Sequence, residues 1–274
     1  MSFERYRVQV ACERLVGARD LDDWARKRSD FEALTLSDVD CSALAEHLRE
    51  DAKDIYFKGV LSLCDAVCSI KRNLYSWATV KLYYAVFYFL RTSLAAKGYA
   101  IIRNRSLYLL SLRSGERPKK KSSARYRNDH FGTINIYRDI FERSDILESN
   151  TIDGLNAYEW LMERRNQVHY RERVFHDPGP AYFLNAVAKY VESKKLESLI
   201  TLYIDDPDYL YCFQPEHACL ALPIKRAILT KRDLLDEDIR LGFNKNQTRL
   251  LHTLVRLKRT ALSTVVGLVS SGPT

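Results

Sequence analysis

Four arginines and one histidine crowd into eleven residues, ERRNQVHYRER at 163–173. A histidine titrates near neutral pH, so it can take or give a proton. An arginine presents a fixed fork of donors that fits phosphate oxygens. Together they suit RNA cleavage without a metal. In that reaction the ribose 2′-oxygen attacks the adjacent phosphorus. A base takes the 2′-proton, an acid protonates the leaving 5′-oxygen, and positive charge stabilises the phosphorane. DNA lacks this nucleophile, so the chemistry is restricted to RNA. The ordinary alternative for the same residues is a solvated helix end of mixed charge.

Helical spacing constrains the candidates. On a regular helix Arg165 and His169, four apart, are separated by about 40° around the axis, and Arg164 and His169, five apart, by about 140°. Arg165 is then the nearer partner, while local unwinding near Val168 would let Arg164 converge as well. Leu155, Tyr158, Met162, Arg165 and His169 form one stripe that begins apolar and ends charged, leaving a core and entering a polar site. One histidine is one too few for separate acid and base roles. Two copies facing each other across a two-fold axis would supply two.

Other chemistries are poorly served. His169 and His176 lie seven apart across an expected helix end, with no acidic partner at a fixed offset. The six cysteines form no CxxC pair, and buried free thiols suit a reducing cytoplasm. There is no nucleophile elbow and no glycine-rich phosphate loop. No cofactor is expected.

The elements that must position the cluster are helical. The 274 residues are 46% hydrophobic, with only 10 Gly and 7 Pro, and the apolar residues recur mostly at helical spacing. A formal net charge of +8 suits a polyanionic partner, or merely a soluble surface. Residues 1–44 read as a helical lead-in with Asp20 or Asp22 as caps near Trp24. A long helix is expected from about Ser42 to Asn73, and Cys64 and Cys68 share a face of it. The stretch 76–98 follows, with Ser76 as candidate N-cap and Gly98 as stop. Apolar nearly all round, that helix belongs at the centre of a bundle or under a second subunit. Its aromatic residues (Trp77, Tyr83, Tyr84, Phe87, Tyr88 and Phe89) suit core packing better than base stacking. Lys81 and Arg91 interrupt its apolar run, so it reads as a buried helix and not a membrane span.

Residues 99–112 read as a short extended or irregular segment. Residues 113–133 read as a polar basic loop in which Lys119, Lys120, Lys121, Arg125 and Arg127 are candidates for phosphate-backbone contact. The competing reading is a solvated insertion. A short helix or turn is expected at 134–147. A further helix is expected from Thr151–Asp153 to about Arg171, then a break at HDPGP, a fourth long helix over about 181–203, and one or two helices beyond Pro223. No signal peptide opens the chain, and a cytoplasmic protein is expected.

Arg164-Arg165-Asn166-Gln167-Val168-His169 matches an R-x4–6-H pattern at the end of a third helix, and YSWATVKLYYAVFYFLRTSLAAKGY precedes it as an aromatic second helix. In both respects residues 45–205 resemble the HEPN-domain ribonucleases. The resemblance implies an all-α fold, a four-helix bundle with helical extensions at 1–44 and 206–274. It also implies a homodimer whose two Arg/His sets face one cleft. The family's arginine falls on Arg164 and its histidine on His169, with Arg165 and Asn166 following the arginine and Tyr170 in support. Members of this family serve as effectors in prokaryotic toxin–antitoxin and anti-phage systems, cutting RNA. Some are restrained by a co-encoded regulatory or sensor protein. Others lack the histidine and act only as binding scaffolds, so the alternative to an enzyme is a HEPN-like sensor or scaffold that binds a partner protein or RNA.

Overall fold

The computed structural model describes residues 4–256 apart from 127 and 143. Three short helices lead in: α1 (Arg7–Leu15), α2 (Leu21–Arg26) and α3 (Arg28–Ala33). Asp20 caps α2, its side chain accepting from the Asp23 amide at 2.7 Å. The long α4 (Asp38–Ile70) and α5 (Tyr75–Ala96) come next. Ser37 and Asp40 close a capping box at the start of α4, satisfying two otherwise unpaired amides. Gly98, at φ 79°, ends the α5 turn as expected of a glycine stop. Ser76 is not the α5 cap. That helix starts one residue earlier, and the Ser76 amide donates to Asp177, 101 residues away, at 3.1 Å.

Helix α5 is the axle of the fold. It packs against α4 along most of its length and against α10 (Pro215–Asp236) on another side. It also meets α6 (Asp129–Phe141) and α7 (Ala157–Asn166). Gly59 permits the close α4–α5 approach: a Cβ there would stand 2.6 Å from the Phe89 ring. Asp51 of α4 accepts from the Arg7 and Val8 amides at 2.8 and 2.9 Å, clamping the free end of α1 onto the core.

The described chain is mainly helical, with two departures. Residues 99–111 form a hairpin, β1 (Tyr99–Asn104) and β2 (Ser106–Ser111), turning at Arg105 with φ 55°. The basic stretch adds a third antiparallel strand, β3 (Lys119–Lys121), so it is not simply a loop. Helix α6 begins inside that stretch because Asn128 caps it, accepting from the His130 and Phe131 amides at 3.0 Å each.

A two-residue hairpin, β4 (Thr151–Ile152) with β5 (Leu155–Asn156), precedes α7. The expected helix over 181–203 is broken into α8 (Asn185–Glu192) and α9 (Leu196–Asp205) by Lys194 at φ 58°. Helix α10 starts at Pro215, carries Pro223 in its interior, and fills the place beside α5. Helix α11 (Lys245–Arg256) closes the described chain. One contiguous core runs from Val8 to Leu251, taking in parts of both expected extensions. No helix among the described residues is long and apolar enough to cross a membrane.

Two charged centres lie inside. Arg226 of α10 is 2% exposed. It donates to Asp145 at 3.1 Å, Asp233 at 2.8 Å, the Tyr137 hydroxyl at 2.6 Å, Thr230 at 3.0 Å and Ser93 at 3.2 Å. Asp145 also accepts from Tyr137 at 2.9 Å and from Tyr158 of α7. Nearby, Arg138 of α6 faces Glu148 at 3.2 Å and Glu159 at 3.1 Å. The Glu148 side chain is almost wholly buried, and burial pushes its carboxyl up to about 7 against the pull of Arg138.

A raised folded-state value means that the native protein binds more protons than the unfolded chain between about pH 4.5 and 7. Stability from this group is therefore present in acid and lost as the pH rises through 7. Glu148→Gln removes the titration, so its melting temperature should gain on wild type between pH 5 and pH 8. The gain at pH 8 should be on the order of 2 kcal/mol. Thermal melts of both proteins across that range check this, and a constant difference would refute it.

Candidate functional site

Helix α7 is held at its start by Asn156, which accepts from the Tyr158 and Glu159 amides at 3.1 and 2.9 Å. Trp160 ties it back to the preceding hairpin, donating to Asp153 at 2.8 Å. Tyr158, Met162 and Arg165 are buried in turn, and His169 is half-buried, so the stripe leaves the core as its composition implies.

The helix does not stay regular to its end. After Asn166 it widens into a π-helical turn over Gln167–Arg171, with the Glu172 amide donating to the Gln167 carbonyl at 3.0 Å. A π turn holds more residues than an α turn, so each residue advances by a smaller angle. The smaller advance narrows the angle to His169 from Arg164 as well as from Arg165, so the backbone turn alone does not choose between them. Single-turn π segments of this kind recur at functional sites.

The side chains make the distinction. Arg164 turns onto Trp160, Tyr182 and Phe183, with its guanidinium carbon 5.4, 5.7 and 5.9 Å from their ring centres, and donates to the Tyr182 hydroxyl. Arg165 turns the other way, into a cage of three tyrosines, 4.7 Å from the Tyr170 ring, 5.6 Å from Tyr83 and 5.7 Å from Tyr84. It donates to Asn166 at 2.9 Å and to the Tyr84 hydroxyl at 3.3 Å. It is 7% exposed, yet no carboxylate pairs with it among the described residues, and its Nε has no hydrogen-bond partner. Among the described residues Arg226 is the other buried arginine, and it has two carboxylates.

His169 lies against Tyr170, with ring centres 4.5 Å apart, and against Trp77 at 5.9 Å. Its Nδ1 is buried without a partner. Trp77, read from the sequence as core, is 44% exposed at the open end of α5. Tyr84 and Tyr88, on the same face of α5, are half-buried, while Tyr83, Phe87 and Phe89 are in the core. On the basic flank Arg171 pairs with Glu163.

In the basic segment Lys119, Lys120 and Lys121 lie on the edge strand β3, and Arg125 lies in the short 3-10 turn that follows. Lys119 pairs with Glu116 at 2.8 Å, while Lys121 and Arg125 share Asp139 at 3.7 and 2.9 Å. Lys120 is exposed. Arg127 lies outside the described residues. Three of these cations already face carboxylates, which weakens them as a phosphate track.

The residue that sequence reasoning missed is His130. It packs on Tyr83 and Tyr84 with ring centres 5.6 Å away in each case, the same two rings that cage Arg165. The Tyr83 hydroxyl is 2.9 Å from its Nδ1. Burial, then the nearby Arg165 charge, lowers its proton affinity. The one available signal was Asn128 as a helix cap, which makes residues 129–133 a first turn and not a loop. Among the described residues no group of three or more His, Cys, Asp or Glu side chains is placed to hold a metal ion. No family model, curated protein or solved structure matches the chain.

Proposed function

We propose that this protein is a metal-independent endoribonuclease, an effector of a prokaryotic anti-phage or toxin–antitoxin system, with Arg165 and His169 at its centre. The observation that carries the reading is the buried Arg165 guanidinium without a carboxylate. An uncompensated buried charge is costly, and an anion in the tyrosine cage would relieve the cost. A phosphate diester fits the guanidinium fork, and His169 stands one helical turn on to move a proton. Tyr84, Tyr170 and Trp77 offer ring faces for the flanking bases. Asn166 holds the guanidinium in place. Arg164 supports α7 by packing on Trp160 and Phe183. The HEPN resemblance implies a homodimer in a four-helix bundle arrangement and a co-encoded regulator.

The products test the chemistry. Purified protein incubated with RNA in EDTA should leave 2′,3′-cyclic phosphate and 5′-hydroxyl ends, and a substrate with a 2′-deoxy sugar at the cut position should survive. EDTA-sensitive cleavage, 5′-phosphate ends or equal cutting of DNA would refute it. RNA binding without any cleavage would favour the scaffold reading.

A further inference from the structure

The cleavage reaction needs two proton-transfer groups, and α7 supplies one. We propose that His130 of the same chain is the second, acting with His169 on either side of a phosphate held by Arg165. The inference rests on the ribonuclease reading above.

Three observations carry it. First, His130 comes from α6 and Arg165 from α7, yet both lie on the rings of Tyr83 and Tyr84. On the other side of Arg165, the Tyr170 ring touches both the guanidinium and His169. The order across the site is therefore His169, Tyr170, Arg165, Tyr84, His130. Second, the ring is oriented. Tyr83 engages Nδ1, which leaves Nε2 as the nitrogen for substrate, while Phe87, 4.9 Å away, packs against the ring at a tilt. Third, the groups facing His130 are Tyr83 and Tyr84 from α5, Arg165 from α7 and its neighbour Asp129. Asp129 is itself paired with Arg103. The balance of burial and the Arg165 charge against Asp129 holds the imidazole neutral at neutral pH.

A neutral imidazole is a base. In the tautomer whose Nδ1–H donates to the Tyr83 oxygen, Nε2 takes the proton from the ribose 2′-hydroxyl. The 2′-oxygen then bonds to phosphorus, and the bond from phosphorus to the 5′-oxygen breaks. His169 in its protonated form gives its proton to that leaving oxygen. The products are a 2′,3′-cyclic phosphate and a 5′-hydroxyl, and no oxidant or further reactant is needed. One chain then holds a complete set, and a dimer partner is not needed to supply the second histidine.

The test is the pH dependence of kcat/KM for wild type, His130→Ala, His130→Gln and His169→Ala on a short single-stranded RNA. Glutamine keeps a polar partner for Tyr83 but cannot titrate, and it guards against loss of folding in the alanine variant. Wild type should give a bell. Both His130 variants should lose a hundredfold or more in kcat with KM little changed, and the acidic limb should vanish, because that limb reports the base. His169→Ala should lose the alkaline limb. In parallel, titrating wild type with inorganic phosphate should shift the NMR imidazole signals of both His130 and His169.

A dead His169→Ala beside His130 variants with both limbs intact overturns the role of His130 alone, as does a phosphate titration that moves His169 only. Undiminished cleavage by His169→Ala, or none by wild type, overturns the ribonuclease reading and this inference together.

Discussion

Arg165→Ala should cut the rate of RNA cleavage by about 10²–10³-fold, the usual loss for a preorganised charge at a developing phosphorane. His169→Ala should cost about 10²–10⁴-fold, as for a lost proton-transfer group. Arg164→Ala, by contrast, should leave kcat within a few fold and lower the melting temperature. Its guanidinium covers Trp160, Tyr182 and Phe183, and its aliphatic stem packs with them. The three variants thus separate chemistry from support. Arg165→Ala also removes a buried charge that has no counter-charge among the described residues, so its fold should be unharmed or slightly steadier. The measurement is single-turnover cleavage of a defined RNA, with thermal melts of each variant. If Arg164→Ala is inactive while Arg165→Ala cuts normally, the assignment within the pair is reversed.

Arg226→Ala should destabilise the protein by about 3–5 kcal/mol, the penalty for stripping one partner from a buried ion pair. For a chain of this size that corresponds to a fall of about 10 °C in melting temperature. The cost is high because Asp145 would stay buried with two phenols and no cation. Thr230 and Ser93 would lose a shared donor as well. Arg226→Lys should recover only part of the loss, since one ammonium cannot reach five acceptors spread over a planar fork. Calorimetry or urea midpoints decide it, and a drop of under 2 °C in Arg226→Ala would mean that the centre is no clasp at all.

Long periodic segments were legible from the sequence, and their irregularities were not. The α4 and α5 spans follow from apolar spacing, and Gly98 and Asp20 act at the ends where their chemistry places them. Lys194 is a different case. A lysine at φ 58° carries no local mark, so two helices read as one. Pro223 sounded like a helix start, yet α10 tolerates it inside because tertiary packing against α5 outweighs one lost backbone bond. The hairpin beside Asn104 turns on Arg105, an arginine at φ 55° where glycine or asparagine is usual.

At the candidate site the competition between Arg164 and Arg165 could be posed from spacing alone. Resolving it required the side-chain contacts, Arg164 on Trp160, Tyr182 and Phe183 and Arg165 among Tyr83, Tyr84 and Tyr170. His130 was hidden for a similar reason. It sits among basic and turn-forming residues, and only contacts from α5 and α7 make it part of a cluster.

The Arg226 clasp also sets an order of events in time. Asp145 and Tyr158 leave the ribosome before α10 does, because the chain grows from its N-terminus. Until Arg226 arrives, the carboxylate that anchors Tyr158, and with it the root of α7, has no cation to settle against. A nascent chain therefore carries the arginine and histidine of its candidate site on a helix that is not yet seated. If the chain is the ribonuclease proposed above, its site would be completed only after most of its own message has been read.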